Sequence, residues 1–426
     1  MKRNVFIALL TVCVCIAAGS CSAGQAIKPM GRTAGADGNE LSSEVSESES
    51  LSAKEAYAEL ESTAEDKDIP EYARDVIADE NSVKLLGRTC LIGDTRWCAY
   101  PGTGIEFEYT GKRLEITLQG DDSIYDSSNR FARVAVYADG KRVADELMDS
   151  EEKTIKAFES KETETVRIKV IKLSESEMST VGIKPVHLEA GEEISPAPQR
   201  THTIEFVGDS LTCGYGVDDE DPEHHFSSST EDVTKTYASK AAALLDADYS
   251  IAAISGYGVI SGYTGDPSVK NERPVMPAYY ETLGYSDYSF GGGDYPQDVS
   301  WDHESFVPEV IIINLGTNDA TYCQNDKAKL EEFVKGYKDF LAVIRKDNPD
   351  AEIFCILGTM SSHIWEQVDL AAREFSEENK DDKVHSLLID VKDGELGYAA
   401  DWHPTEATHQ VMAEALYEKI MDVMRW

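Results

Sequence analysis

The sequence predicts two folded parts: an antiparallel all-β sandwich over residues 81–198, then an α/β domain over residues 199–426 with a parallel sheet covered on both faces. Period-two alternation of apolar and polar residues between Asn81 and Leu188, with no helical stretch, predicts the first. Short apolar runs separated by helical stripes from Thr203 onward predict the second. Residues 1–80 carry neither pattern.

At the N-terminus, Lys2 and Arg3 precede an apolar run from Val5 to Ala18. The run is too short to span a bilayer comfortably and has the form of an export signal. Ala18, Gly19 and Ser20 directly before Cys21 resemble a bacterial lipobox, although Ala18 stands where Leu is usual. That resemblance implies cleavage after residue 20, a diacylglyceryl group on Cys21, and an exported lipoprotein that meets membrane only through this anchor. An ordinary secretory signal cut nearby is the alternative, and it also takes the chain out of the cytoplasm. Residues 21–80 include GNELSSEVSESES, too polar to offset their ordering entropy, and read as a largely disordered acidic tether.

Within the sandwich, Ile105, Phe107 and Tyr109 alternate with polar neighbours, and Leu114, Ile116 and Leu118 repeat the pattern after an expected turn at Gly111. Asp139-Gly140 between two alternating runs signals a tight hairpin. Val166, Ile168 and Val170, then Ile183 and Val186, continue the alternation. GEEISPAPQR, with two prolines, reads as the linker to the second domain.

In that domain, runs at Ile204–Val207, Ser250–Ile254, Val310–Ile313, Ile353–Ile356 and Leu387–Ile389 read as strands buried on both faces. Leu330, Phe333, Val334, Tyr337, Phe340, Leu341 and Ile344 form one helical stripe; Met412, Leu416 and Val423 form another. Chemistry in such folds sits at the carboxyl ends of the strands.

Charge narrows the partners. Lys plus Arg total 40 against 79 Asp plus Glu, a formal charge of −39. That balance opposes nucleic acid and anionic membrane surfaces, both of which need a basic face. Of eight cysteines, Cys13 and Cys15 leave with the signal and Cys21 carries lipid, so five remain, without a CxxC pair. This argues against a disulfide framework and a structural zinc site, though one bridge between Cys90 and Cys98 is open.

Four elements end in residues that can do chemistry. The first strand runs into Gly208-Asp209-Ser210, which presents a hydroxyl where a helix begins. The second ends in Ser255-Gly256-Tyr257-Gly258, and the third in Gly316-Thr317-Asn318-Asp319. Asp401-Trp402-His403-Pro404 precedes the last helix. Each piece alone is common; their joint occurrence in this order is specific.

These blocks resemble the GDSL or SGNH hydrolase superfamily, with Ser210, Gly256, Asn318 and His403 at its four block positions. The strings VGDSLTCGYG, SGYGV, MPAYY, NLGTND and DWHP are closer still to carbohydrate esterase family two. The resemblance implies a flavodoxin-like three-layer SGNH domain preceded by a jelly-roll sandwich, and removal of acetyl groups from plant-polysaccharide sugars. It implies that His403 takes the proton of Ser210, which attacks the ester carbonyl to give an acyl-enzyme. The backbone N–H groups of Ser210 and Gly256 and the Asn318 amide would hold the oxyanion. No metal and no organic cofactor is required.

The group that orients His403 is open. Most of the superfamily places an Asp three residues before the His, where this chain has Ala400. Asp401, two before, is the expected orienting residue; in the esterase family a backbone carbonyl can serve instead.

The connection from Gly262 to Phe306 is rich in Tyr and contains Trp301. It is expected to form a glycan-binding wall, with Trp402 and Tyr257 beside the reacting groups. The alternative is a satellite hydrophobic cluster. Asp209 and Asp319 read as turn or capping residues, His409 as a surface or packing residue, and adjacent His224-His225 as a poor metal pair. The expected activity is therefore a serine esterase acting on acetylated xylan, mannan or glucomannan. A GDSL-type lipase, a peptidoglycan O-acetyl esterase and a non-catalytic glycan-binding lipoprotein are the competing readings. Sugar, hydroxyl position and oligomeric state are not legible.

Overall fold

The computed structural model describes residues 73–389, 391 and 394–426. The expected signal, the Cys21 anchor and most of the tether lie outside the described residues. None of the described helices is long and apolar enough to cross a membrane.

The β-rich domain contains β1 (Arg74–Val76), β2 (Lys84–Leu86), β3 (Thr89–Ile92), β4 (Thr95–Cys98), β5 (Gly104–Gly120), β6 (Arg133–Ala138), β7 (Lys141–Leu147), β8 (Glu152–Lys172), β9 (Val181–Ile183), β10 (Val186–Leu188) and β11 (Glu193–Pro196). All its pairings are antiparallel. Strands β5 and β8 pair along nearly their whole lengths and form the spine of the sandwich. Their inward residues, among them Ile105, Phe107, Tyr109, Leu114, Ile116, Ile168 and Val170, fill one core. The hairpin at Asp139-Gly140 takes positive φ at both positions, as a two-residue primed turn requires.

Three boundaries differ from expectation. Gly111 is not a turn: it lies inside β5 at a register shift, and the Tyr109 phenol folds across it, 2.1 Å from where a Cβ would sit. The tether stops earlier than residue 80, because Arg74–Val76 pairs with β10 and Ala78 is buried. The expected linker begins as strand β11, paired with β5, and its Pro196 is tolerated at the strand's end.

The second domain has five parallel strands, β12 (His202–Gly208), β13 (Ala247–Ala253), β14 (Val310–Asn314), β15 (Glu352–Leu357) and β16 (Val384–Leu388). Their order is β13-β12-β14-β15-β16. Helices are α1 (Ser210–Cys213), α2 (Tyr237–Leu244), α3 (Thr317–Cys323), α4 (Lys327–Asp347), α5 (Trp365–Asn379) and α6 (Glu406–Met424). Alternate strand residues explain the unbroken apolar runs. Val207, Ile311, Ile313 and Ile353 meet Phe333, Tyr337 and Val368 of α4 and α5. Phe206, Ile312 and Phe354 meet Tyr237, Met412 and Leu416 of α2 and α6 on the other face. The strand order reverses between β12 and β14, which opens a crevice at their carboxyl ends.

The two domains share one compact unit. Arg88 of the sandwich, 0% exposed, donates to Glu205 of β12 at 2.8 Å. Glu205 also accepts from the Tyr280 hydroxyl at 2.7 Å and from Ser250 at 3.1 Å. Burial alone would raise the Glu205 carboxyl; the Arg88 charge overrides this and holds it below its ordinary range.

Candidate active site

Strand β12 must stop abruptly to present Ser210. Gly208 makes that possible, since a Cβ there would lie 2.0 Å from Thr212 Oγ1. Asp209 caps the short helix α1, accepting the Leu211 N–H at 3.1 Å. The Ser210 hydroxyl therefore sits at the mouth of the crevice between β12 and β14.

His403 arrives from the other end of the chain, on a tight turn before α6. Its Nε2 lies 3.0 Å from Ser210 Oγ, and its Nδ1 lies 3.1 Å from the Ala400 carbonyl. The carbonyl can only accept, so it fixes the proton on Nδ1 and leaves Nε2 free to take the serine proton. Burial drives the imidazole down to about 4, against the smaller opposing pull of the Ala400 carbonyl and Asp401. At neutral pH His403 is thus a neutral imidazole whose Nε2 can accept a proton.

Gly256 follows β13 in the left-handed region, φ +78°, with open space where a Cβ would be. Asn318 is in the first turn of α3. Its Nδ2 donates to the Tyr257 carbonyl at 2.9 Å and to Asp209 Oδ2 at 3.2 Å. To meet an oxyanion the amide must redirect one of these N–H groups, and the longer bond to Asp209 is the weaker hold. Asp319 accepts the N–H groups of Val259, Ile260 and Ser261 at 2.8–3.1 Å, clamping the segment after Gly256 to α3. From the sandwich, Glu175 accepts the Ser255 N–H at 2.6 Å, so that domain braces the Gly256 turn from behind. Burial pushes Asp209 up to about 7 and Asp319 up to about 6.

Comparison with known proteins meets this geometry. Residues 206–411 match the GDSL-like lipase/acylhydrolase family, and residues 85–198 match the carbohydrate esterase 2 N-terminal domain. A family-two carbohydrate esterase from Clostridium thermocellum, solved in complex with cellohexaose, superposes with TM-score 0.69 at 27% identity, over 81% of this chain and 99% of that one. Residues 206–411 thus belong with the GDSL-like acylhydrolases, behind a carbohydrate esterase 2 N-terminal domain. The cellulase/esterase CelE of Acetivibrio thermocellus is 30% identical over 338 residues, 77% of this acylhydrolase but 38% of that relative's length. An acetylxylan esterase / glucomannan deacetylase of Cellvibrio japonicus is 25% identical, over 82% of this acylhydrolase and 91% of that relative.

One expected member of the acylhydrolase's catalytic set is elsewhere. Asp401 does not orient His403. Its φ of +48°, followed by +63° at Trp402, turns the carboxylate away from the imidazole. It accepts instead from the Tyr215 hydroxyl at 2.6 Å and pairs with His225 Nδ1 at 2.8 Å. The Ala400 carbonyl, the alternative left open by the sequence, takes its place.

The expected sugar-contacting residues divide. Trp402 is 37% exposed and packs edge-on against Tyr398 at 5.0 Å, so its ring is available beside the dyad. Tyr257 is only 2% exposed and packs on Tyr279, which removes it from a sugar-facing role. Trp301 packs with Trp97, Leu283 and Phe290 under the guanidinium of Arg88, a cluster that holds the aromatic connection down. That connection is therefore mainly packed: Tyr279, Tyr280 and Tyr285 join the core of the second domain, Phe290 and Trp301 form a satellite cluster, and Tyr263 and Tyr295 are its exposed rings. His409 is buried and accepts the Tyr237 N–H, so it belongs to packing. The five described cysteines are all free.

Sequence reasoning missed Tyr215, whose ring lies stacked on His403 at 4.0 Å. Its signal was present: it follows the nucleophile by five residues, between Gly214 and Gly216.

Proposed function

We propose that this protein is a serine esterase that removes O-acetyl groups from plant polysaccharides, or oligosaccharides, of the xylan, mannan or glucomannan type. The observation that carries it is the 3.0 Å contact between Ser210 Oγ and a neutral, carbonyl-oriented His403 in a family-two carbohydrate esterase framework. His403 Nε2 takes the hydroxyl proton as Ser210 Oγ adds to the acetyl carbonyl. The negative charge then developing on oxygen is met by N–H groups of Ser210, Gly256 and Asn318. As the tetrahedral species collapses, His403 returns the proton to the departing sugar oxygen, leaving acetyl-Ser210. Water, deprotonated by the same imidazole, repeats the cycle and releases acetate.

The reading extends to location. The basic start, the apolar run and Ala18-Gly19-Ser20-Cys21 support export and lipid attachment at Cys21. Labelled palmitate incorporated by the expressed chain and lost in Cys21→Ala is the expected result.

The function is tested by acetate release from acetylated xylan, acetylated glucomannan and a long-chain lipid ester, with Ser210→Ala as control. Serine-dependent acetate from a polysaccharide supports the proposal. Turnover of the lipid ester alone overturns it in favour of a lipase, and glycan affinity without any turnover overturns it in favour of a binding protein.

A further inference from the structure

The carboxylate expected to hold the base holds a tyrosine, and the tyrosine holds the base. Tyr215 lies nearly parallel to the His403 imidazole, ring centroids 4.0 Å apart at 18°. Its hydroxyl donates to Asp401 Oδ2 at 2.6 Å, and Asp401 is fixed in turn by His225 on Oδ1 and by its own N–H on the His224 carbonyl. Phe226 packs on the same tyrosine ring at 5.0 Å. The backbone around Tyr215 has little freedom. Gly214 and Gly216 both have positive φ, and a Cβ on Gly216 would lie 2.6 Å from the Ala400 Cβ. The segment that carries Tyr215 thus presses on the residue whose carbonyl orients His403.

We propose that Tyr215 is a positioning residue for His403, and that Asp401 acts on the base only through it. The ring is a wall that keeps the imidazole plane in line with both Ser210 Oγ and the Ala400 carbonyl. Its face also meets the positive charge that forms when His403 accepts the serine proton, an arrangement that favours imidazolium over imidazole. The Asp401 bond aims the ring. The remaining groups about the imidazole are the Ser210 hydroxyl, the Ala400 carbonyl and, from α6, His409, which burial keeps neutral.

This inference rests on the serine hydrolase reading of the site, so its test is kept apart from the identity of the natural ester. A fluorophosphonate reacts with the intact protein as Ser210 Oγ bonds to phosphorus, fluoride leaves, and His403 takes the serine proton. The maximal labelling rate and the half-saturating concentration are measured for the wild type, Tyr215→Phe, Tyr215→Leu, Asp401→Asn and the double variant Tyr215→Phe/Asp401→Asn. Tyr215→Leu should lose about a hundredfold in maximal rate with half-saturation unchanged. Tyr215→Phe and Asp401→Asn should each lose roughly tenfold, and the double variant no more than the worse single one, because both remove the same contact.

A loss of about a thousandfold in Asp401→Asn alone, or losses that multiply in the double variant, would mean that the carboxylate acts on the base directly and would overturn the proposal. Wild-type labelling by Tyr215→Leu would overturn it as well. Should Tyr215→Leu not fold, the cycle of the two conservative substitutions still decides. A wild type that is labelled but releases no acetate from glycans fails the substrate reading and leaves this one standing. A wild type that is not labelled at all overturns both.

Discussion

Two turns meet at the Ser210–His403 contact, and they are held in different ways. The turn from Gly208 to Gly214 is fixed by exclusion: Cβ atoms at its two glycines would lie 2.0 Å from Thr212 Oγ1 and 2.7 Å from the Asp232 carbonyl oxygen. It is wholly buried from Gly208 through Gly214. On the other side, the left-handed backbone is carried by Asp401 and Trp402, which are not glycines and pay about 1 kcal/mol or more each for it. There the conformation is held by polar bonds to Tyr215, His224 and His225 that reach the surface. Ser210 is fixed by steric necessity and His403 by a network that substitution can loosen gradually. Variants of the turn residues on the first side should cost stability through overpacking, and variants of the network on the second side should loosen the imidazole by degrees.

The sharpest break is at the base itself. His403→Ala should lower ester turnover by about 10⁴-fold or more while circular dichroism and melting remain near wild type. Retained activity would remove His403 from the mechanism. Next, Asn318→Ala should cost about a hundredfold in kcat, the usual effect of losing one oxyanion donor. A change in KM alone would instead make Asn318 a binding residue. Gly208→Ala tests the exclusion argument: it should lower stability by about 1–3 kcal/mol in urea unfolding, through overpacking against Thr212. An unchanged midpoint would show that the turn has slack. The smallest effect is a displacement in pH. Only neutral His403 can take the serine proton, so kcat/KM should fall on the acid side with a midpoint at about 4. A midpoint at about 6.5, the ordinary imidazole value, would mean that the base is hydrated rather than buried.

Much of this architecture is written in residue periodicity. Runs such as Val310-Ile311-Ile312-Ile313 are apolar at every position because both faces are covered, which makes β12, β13, β14 and β15 legible. The edge strand β16 is not buried on both faces, since Leu388 is exposed and His385 and Ser386 lie within it, and only its end is marked by an apolar run. Ser210 and His403 were legible because glycine turns and strand ends leave local marks, and the structure brings the two side chains together. Asp401 is expected from the sequence to orient His403, yet the direction of its carboxylate depends on a left-handed φ that no local pattern announces. Tyr257 and Trp301 failed for a related cause: an aromatic ring in a connection looks the same in sequence whether it faces sugar or packs against Tyr279 or Trp97. Gly111 misled in the opposite sense, since a glycine that admits a tyrosine across a bulge carries the same letter as one that reverses the chain.

The Arg88–Glu205 pair bears on how this protein can be taken apart. Glu205 stands on β12, the strand that delivers Ser210 five residues later, and the charge that neutralises it belongs to the sandwich. Cutting the chain at the domain boundary would strand a buried carboxylate in the catalytic half, a loss of about 3–5 kcal/mol by the usual measure of such pairs. Melting should therefore proceed in a single cooperative transition rather than two. For anyone recombining domains, the sandwich is not an interchangeable module: an incoming partner should carry a cation to the spot that Arg88 fills.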